Sequence, residues 1–134
     1  MTSIATIEGI GPSYSEKLKA AGIRTTERLL DAGGTKKGRT AIADDCGISE
    51  KLVLGWVNRA DLMRVRGIGE EFSDLLEQAG VDTVKELATR RPDNLLASCK
   101  KVSATKGVVR RVPSASEVER WVAHAKTLPP AISY

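Results

Sequence analysis

Apolar residues along this chain recur at spacings of three and four, and strict alternation is rare. That period lays them on one stripe of a helix, so the pattern predicts an all-α chain. A first helix opens at Pro12, which has no N–H to lose there, and carries Tyr14, Leu18 and Ala21 on one face. Gly22 closes it with a left-handed cap, and Ile23 turns inward behind it. Thr25 caps a second helix bearing Leu29 and Leu30, which stops at Gly33-Gly34. After a loop from Thr35 to Gly38, a third helix carries Ile42 and Ala43 to Cys46. Ser49 caps a long fourth helix with Val53, Trp56, Val57 and Ala60 on its stripe, running to about Arg64.

The same plan then starts again. Residues 7–30 and 65–88 align at a constant offset of 58 with nine of 24 positions identical, and Tyr14 exchanges for Phe72 and Ile23 for Val81. A fixed-period repeat means one supersecondary unit used twice. In the second copy a helix runs from Glu70 to Ala79 and ends at Gly80, Thr83 to Glu86 reads as a capping box, and Pro92 restarts a helix. The offset then slips to 65, with Val53, Trp56, Val57 and Ala60 matching Val118, Trp121, Val122 and Ala125 behind a second capping box, Ser114 to Glu117. Seven residues are therefore inserted between Lys100 and Arg111. Leu128-Pro129-Pro130 stops the last helix, and a loose tail is expected after it. The predicted organisation is a repeat over 1–64 and a second over 65–134, with the basic insertion within 100–111, packed as one compact domain.

Each copy opens on Gly-Ile-Gly, at Gly9-Ile10-Gly11 and Gly67-Ile68-Gly69. Glycine allows backbone angles closed to other residues and leaves no side chain in front of the turn. Ile10 and Ile68 would pin each turn to the core, and the unbonded amides of the following helix would then project outward with the positive end of its dipole. A phosphate fits such a surface without any base being read. On these residues, and on the weaker match at Gly47-Ile48-Ser49, the chain resembles the helix-hairpin-helix superfamily. From about Ile4 to Pro129 it is similar to a family of small, mainly bacterial tandem helix-hairpin-helix proteins known only as a domain of unknown function. The resemblance implies tandem helix-hairpin-helix units and non-sequence-specific DNA binding.

Charge qualifies that expectation. The net charge is +4 and the pI 9.2, which permits a nucleic-acid partner without demanding one. Gly69 is followed by Glu70, Glu71, Asp74 and Glu77, carboxylates that satisfy the helix dipole and repel phosphate, so the first hairpin is the stronger candidate. Lys17 follows it, Lys36, Lys37 and Arg39 fill the first copy's glycine-rich loop, and Lys100, Lys101, Lys106, Arg110 and Arg111 make the insertion a mobile, acid-free arm. The expected interface is thus Gly9, Ile10, Gly11, Lys17, Lys36, Lys37, Arg39, Gly67, Gly69, Lys100, Lys101, Lys106, Arg110 and Arg111, against the phosphate backbone of DNA or RNA. The plainer alternative for the turns is tight helix connection, and for the basic segments a solvated surface.

Other chemistry finds little footing. Trp56 and Trp121 stand at equivalent apolar positions and read as core anchors, as do Tyr14 and Phe72, and His124 sits alone on an exposed helix face with no assigned role. Cys46 and Cys99, each at the end of a candidate helix, fit no zinc spacing and read as small buried residues. No Ser or Cys nucleophile has a nearby histidine and no phosphate-binding loop of the Walker type occurs, so no enzyme, metal or cofactor is expected. No apolar run approaches the ~20 residues that span a bilayer, and the first residues lack a secretion signal, so a cytoplasmic protein is expected. Two rivals remain: a protein-interaction module that uses the acidic surface after Gly69 or the basic insertion, and an auxiliary domain detached from a larger enzyme.

Overall fold

The computed structural model describes residues 2–107 and 111–134, which include eight α-helices and no regular strand. The chain divides into two compact units, Met1–Asp61 with Pro130–Tyr134, and Leu62–Pro129. The first holds a short 3-10 turn, Ile4–Thr6, and helices α1 (Pro12–Ala20), α2 (Thr26–Gly33), α3 (Lys36–Cys46) and most of α4 (Glu50–Leu62). The second holds α5 (Glu70–Gln78), α6 (Val84–Leu87), α7 (Pro92–Lys106) and α8 (Ala115–Ala125).

The units repeat each other bond for bond at their openings. Ile7 N–H donates to Ile4 O and Ile10 N–H to Ile7 O, and in the second unit Val65 N–H donates to Leu62 O and Ile68 N–H to Val65 O, all four at 3.1 Å. These bonds fold the chain before each helix into a tight turn whose apolar residues face inward. The first long helix of each unit then ends on a positive-φ glycine, Gly22 or Gly80, with the next residue's amide bonded five positions back, Ile23 to Leu18 and Val81 to Leu76. Thr25 and Thr83 cap the helices that follow by accepting the amides of Arg28 and Glu86.

Burial follows the apolar stripes. Ile4, Ile7, Leu18, Leu29, Val53 and Val57 are sealed in the first unit, and Leu62, Leu75, Leu76, Leu87 and Leu95 in the second. Tyr14 meets Trp56 with ring centroids 5.1 Å apart at 59°, and Phe72 meets Trp121 at 5.0 Å and 55°. Tilted pairs at that distance are the favoured aromatic geometry, so the like-for-like exchanges preserve a contact as well as a volume. Cys46 and Cys99 are free thiols, both buried, and burial pushes the Cys99 thiol up to about 11.

Several expectations need correction. The segment from Lys36 to Gly38 is the first turn of α3, because Thr35 Oγ1 caps it by accepting the Gly38 amide at 3.0 Å. α7 runs four residues longer than α3 and ends at the left-handed Gly107, so Lys100, Lys101 and Lys106 are helical and Cys99 lies in mid-helix. The stretch from Leu95 to Lys106 contains neither glycine nor proline, so nothing in it stops the helix. Thr83 caps its helix alone, since Glu86 turns to Arg90 at 3.0 Å, whereas Ser114 and Glu117 form the full reciprocal box. The tail is held within the first unit: Ser133 N–H donates to Gly34 O at 2.7 Å, and Tyr134 Oη lies 3.3 Å from Asn58 Oδ1. None of the described helices is long and apolar enough to cross a membrane.

Candidate nucleic-acid interface

Both Gly-Ile-Gly turns are built alike. Gly9 and Gly67 take φ of 93° and 91°, which L side chains rarely adopt. Ile10 and Ile68 are buried beneath them, and Gly11 and Gly69 become the N-caps of α1 and α5 with no side-chain cap. The first intrahelical bonds are made by Ser15 to Gly11 O and Ser73 to Gly69 O, both at 2.9 Å, which leaves the preceding amides without intrahelical acceptors. Gly9, Gly11 and Ser13 are exposed, as are Gly67, Gly69, Glu70 and Glu71. Pro12 removes one donor at the first turn, and Glu70 and Glu71 set two carboxylates at the second.

The basic residues have different fates. Lys17 is exposed, its Nζ 5.9 Å from the centre of the Tyr14 ring. Lys36 and Lys37 are exposed in the first turn of α3, which holds no acidic residue. They stand apart from Lys17: Cys46, at the far end of α3, donates its thiol to Lys17 O at 3.6 Å, and the ten residues from Lys36 to Cys46 span about 15 Å of helix. Arg39 does not reach solvent. It is 5% exposed and donates to Gly33 O at 3.0 Å and Ser133 O at 2.8 Å, so it is a structural clamp on the tail and leaves the expected set.

In the second unit Lys100 and Lys101 are exposed on α7, and Lys106 donates to Gln78 Oε1 at 2.8 Å. Arg110 lies outside the described residues. Arg111 grips Glu117 with both nitrogens, at 2.6 and 2.9 Å, and its guanidinium stands 5.2 Å from the Phe72 ring centre. With the Ser114 amide, that grip holds the Glu117 carboxyl down at about 2. Arg111 is thus a neutralised cation, and the acid-free arm loses one of its charges to an acid beyond its end.

A cavity of about 420 Å³ adjoins the second turn, lined by Arg66, Gly67, Glu117, Arg120, Trp121 and His124. Four of these fall at i, i+3, i+4 and i+7 of α8 and so share one helix face. His124 is half-buried there and its Nδ1 accepts the Arg66 amide at 3.0 Å, which corrects the expectation of an idle, exposed histidine. Sequence reasoning passed over the group because Trp121 was already assigned to the core and Arg66 is 51 residues from Glu117. Among the described residues no cluster of His, Cys, Asp and Glu could hold a metal ion.

A family model described as a domain of unknown function, DUF4332, matches residues 8–128. The chain belongs to the DUF4332 family. The match covers both glycine turns and all eight helices apart from the chain's two ends, so the duplicated plan lies within the DUF4332 domain. Neither the curated proteins nor the solved structures supply a match.

Proposed function

We propose that this DUF4332 protein is a non-enzymatic, sequence-independent nucleic-acid-binding protein of the helix-hairpin-helix type, contacting phosphates through hairpin amides and basic side chains. One observation carries the reading: both Gly-Ile-Gly turns lead into helices with uncapped amides on exposed residues. Each helix end is worth about 0.3–1 kcal/mol to an anion, so several must act with lysines and arginines. Lys36 and Lys37 fit that role, since two cations beside a helix N-terminus oppose its dipole until an anion arrives. Charge favours the second unit, where twelve lysines and arginines face nine acids, over the first, where nine face eight.

Titration of labelled duplex and single-stranded DNA, followed by anisotropy at ~50 and ~200 mM salt, tests it: binding should weaken by orders of magnitude over that range. No saturable binding at ~50 mM salt ends the reading. Glu70 and Glu71 in the first turn of α5 favour a second one, in which that end of the second unit meets a basic partner protein. Charge reversal at both glutamates separates the two, because it should strengthen DNA binding and abolish capture by such a partner.

A further inference from the structure

The cavity beside the second turn is better furnished for an anion than either helix end. The Arg66 and Arg120 guanidiniums make no ion pair or hydrogen bond with other described residues. Glu117, the one carboxylate in the lining, is taken up by Arg111 and Ser114. Trp121 lines the cavity although it is only 2% exposed, and its Nε1–H has no acceptor among the described residues. An ideal Cβ on Gly67 would stand 3.1 Å from that nitrogen, so the glycine keeps the indole edge uncovered. His124 accepts the Arg66 amide through Nδ1, which leaves its proton on Nε2 as a further donor.

The duplication supplies a built-in comparison. The positions matching Arg66, Gly67, Glu117, Arg120, Trp121 and His124 are Glu8, Gly9, Leu52, Gly55, Trp56 and Arg59. The glycine and the tryptophan are kept, with the indole nitrogen 3.6 Å from a Cβ on Gly9. The two unpaired arginines are replaced by Glu8 and Gly55, and Arg59 Nη1 is turned to Glu8 O at 2.6 Å. The scaffold is therefore common to both units, and the arginine pair belongs to the second alone.

We propose that this cavity binds a phosphate monoester carrying an organic group of about nucleotide size, as a free mononucleotide or as the phosphorylated end of a strand. Two unpaired guanidiniums match a dianion, which a monoester carries and a backbone diester does not. The volume lies within the range of small-molecule sites and leaves room beyond the phosphate. This goes beyond backbone binding and stands without it, because a mononucleotide tests the cavity alone.

The two indole N–H resonances of the full chain give the readout, assigned with a Trp56→Phe variant. On titration with 5′-AMP, the Trp121 signal should shift saturably and the Trp56 signal should stay. Adenosine at the same concentrations should shift neither. R66E and R120E, both at exposed positions, should each weaken 5′-AMP binding about tenfold or more while circular dichroism stays unchanged, and K36E/K37E should leave it intact. A 5′-phosphorylated oligonucleotide that binds more tightly than its 5′-hydroxyl twin, with the difference lost in R120E, identifies strand ends as the source. Equal binding of the twins with 5′-AMP still shifting Trp121 identifies the free nucleotide. No Trp121 shift with either phosphorylated probe, or shifts that R66E and R120E leave unchanged, overturns the proposal, whether or not the protein binds DNA backbone.

Discussion

Replacing Gly67 by alanine should cost more than the same change at Gly9, although the two glycines occupy equivalent turns. Both hold nearly the same positive φ, 91° and 93°, so each alanine carries a conformational penalty of about 1–3 kcal/mol. The surroundings then separate them. At Gly9 the new methyl meets Trp56 Nε1 at 3.6 Å, an ordinary contact, whereas at Gly67 it meets Trp121 Nε1 at 3.1 Å. Trp121 is locked between Phe72 and the core, so relief requires the indole or the turn to shift by a few tenths of an ångström. Overpacking of this sort adds about 1 kcal/mol or more. Urea unfolding followed by circular dichroism gives the total loss, and amide exchange at Ile10 and Ile68, each bonded into its own turn at 3.1 Å, gives the local one. Gly67→Ala should destabilise by about 1 kcal/mol more than Gly9→Ala and accelerate exchange at Ile68 alone. Equal losses, or a larger loss at Gly9, would refute the steric reasoning.

Gly38→Ala should destabilise the first unit by about 1–3 kcal/mol, because its Cβ would lie 2.0 Å from Ala32 O and 3.2 Å from Thr35 Oγ1, the cap of α3; an unchanged urea midpoint counts against this. Arg39→Met leaves Gly33 O and Ser133 O without their donor, so it should cost about 1–3 kcal/mol and expose the carboxy-terminal residues to carboxypeptidase, while K36E/K37E leaves both properties alone. Glu117 is lowered from 4.5 to about 2 in the native protein, chiefly by the Arg111 hydrogen bonds, so the unfolded chain takes up its proton first. Its stabilisation is complete above about pH 4.5 and disappears as the pH falls toward 2. The melting temperature of the wild type should accordingly drop more steeply over that interval than that of E117Q, and parallel curves would refute the assignment.

What was legible in the chain is what a one-dimensional period can carry. The glycine turns, the aromatic pairs and the threonine caps recur at one offset, and each depends on residues close in sequence or on a helix face. Arg39 escaped because nothing local distinguishes it from Lys36 and Lys37; its direction is set by the register of α3, which turns that one position toward Gly33 and the tail. The end of α7 was within reach, since Gly107 is the first glycine after Pro92, but the repeat argued for an earlier stop. The cavity was hidden by the insertion itself. Its turn residues align with the first unit at an offset of 58 and its helix residues at 65, so no single alignment displays Glu8 against Arg66 and Gly55 against Arg120 together. Once both offsets are applied, the packing residues agree and the charged ones disagree. Duplicated scaffolds share the constraints of folding, so substitutions that leave the glycine and the tryptophan in place while exchanging a glutamate for an arginine answer to something outside the fold. That is the physical reason to look for a ligand at Arg66 and Arg120 before looking at the turns the two units have in common.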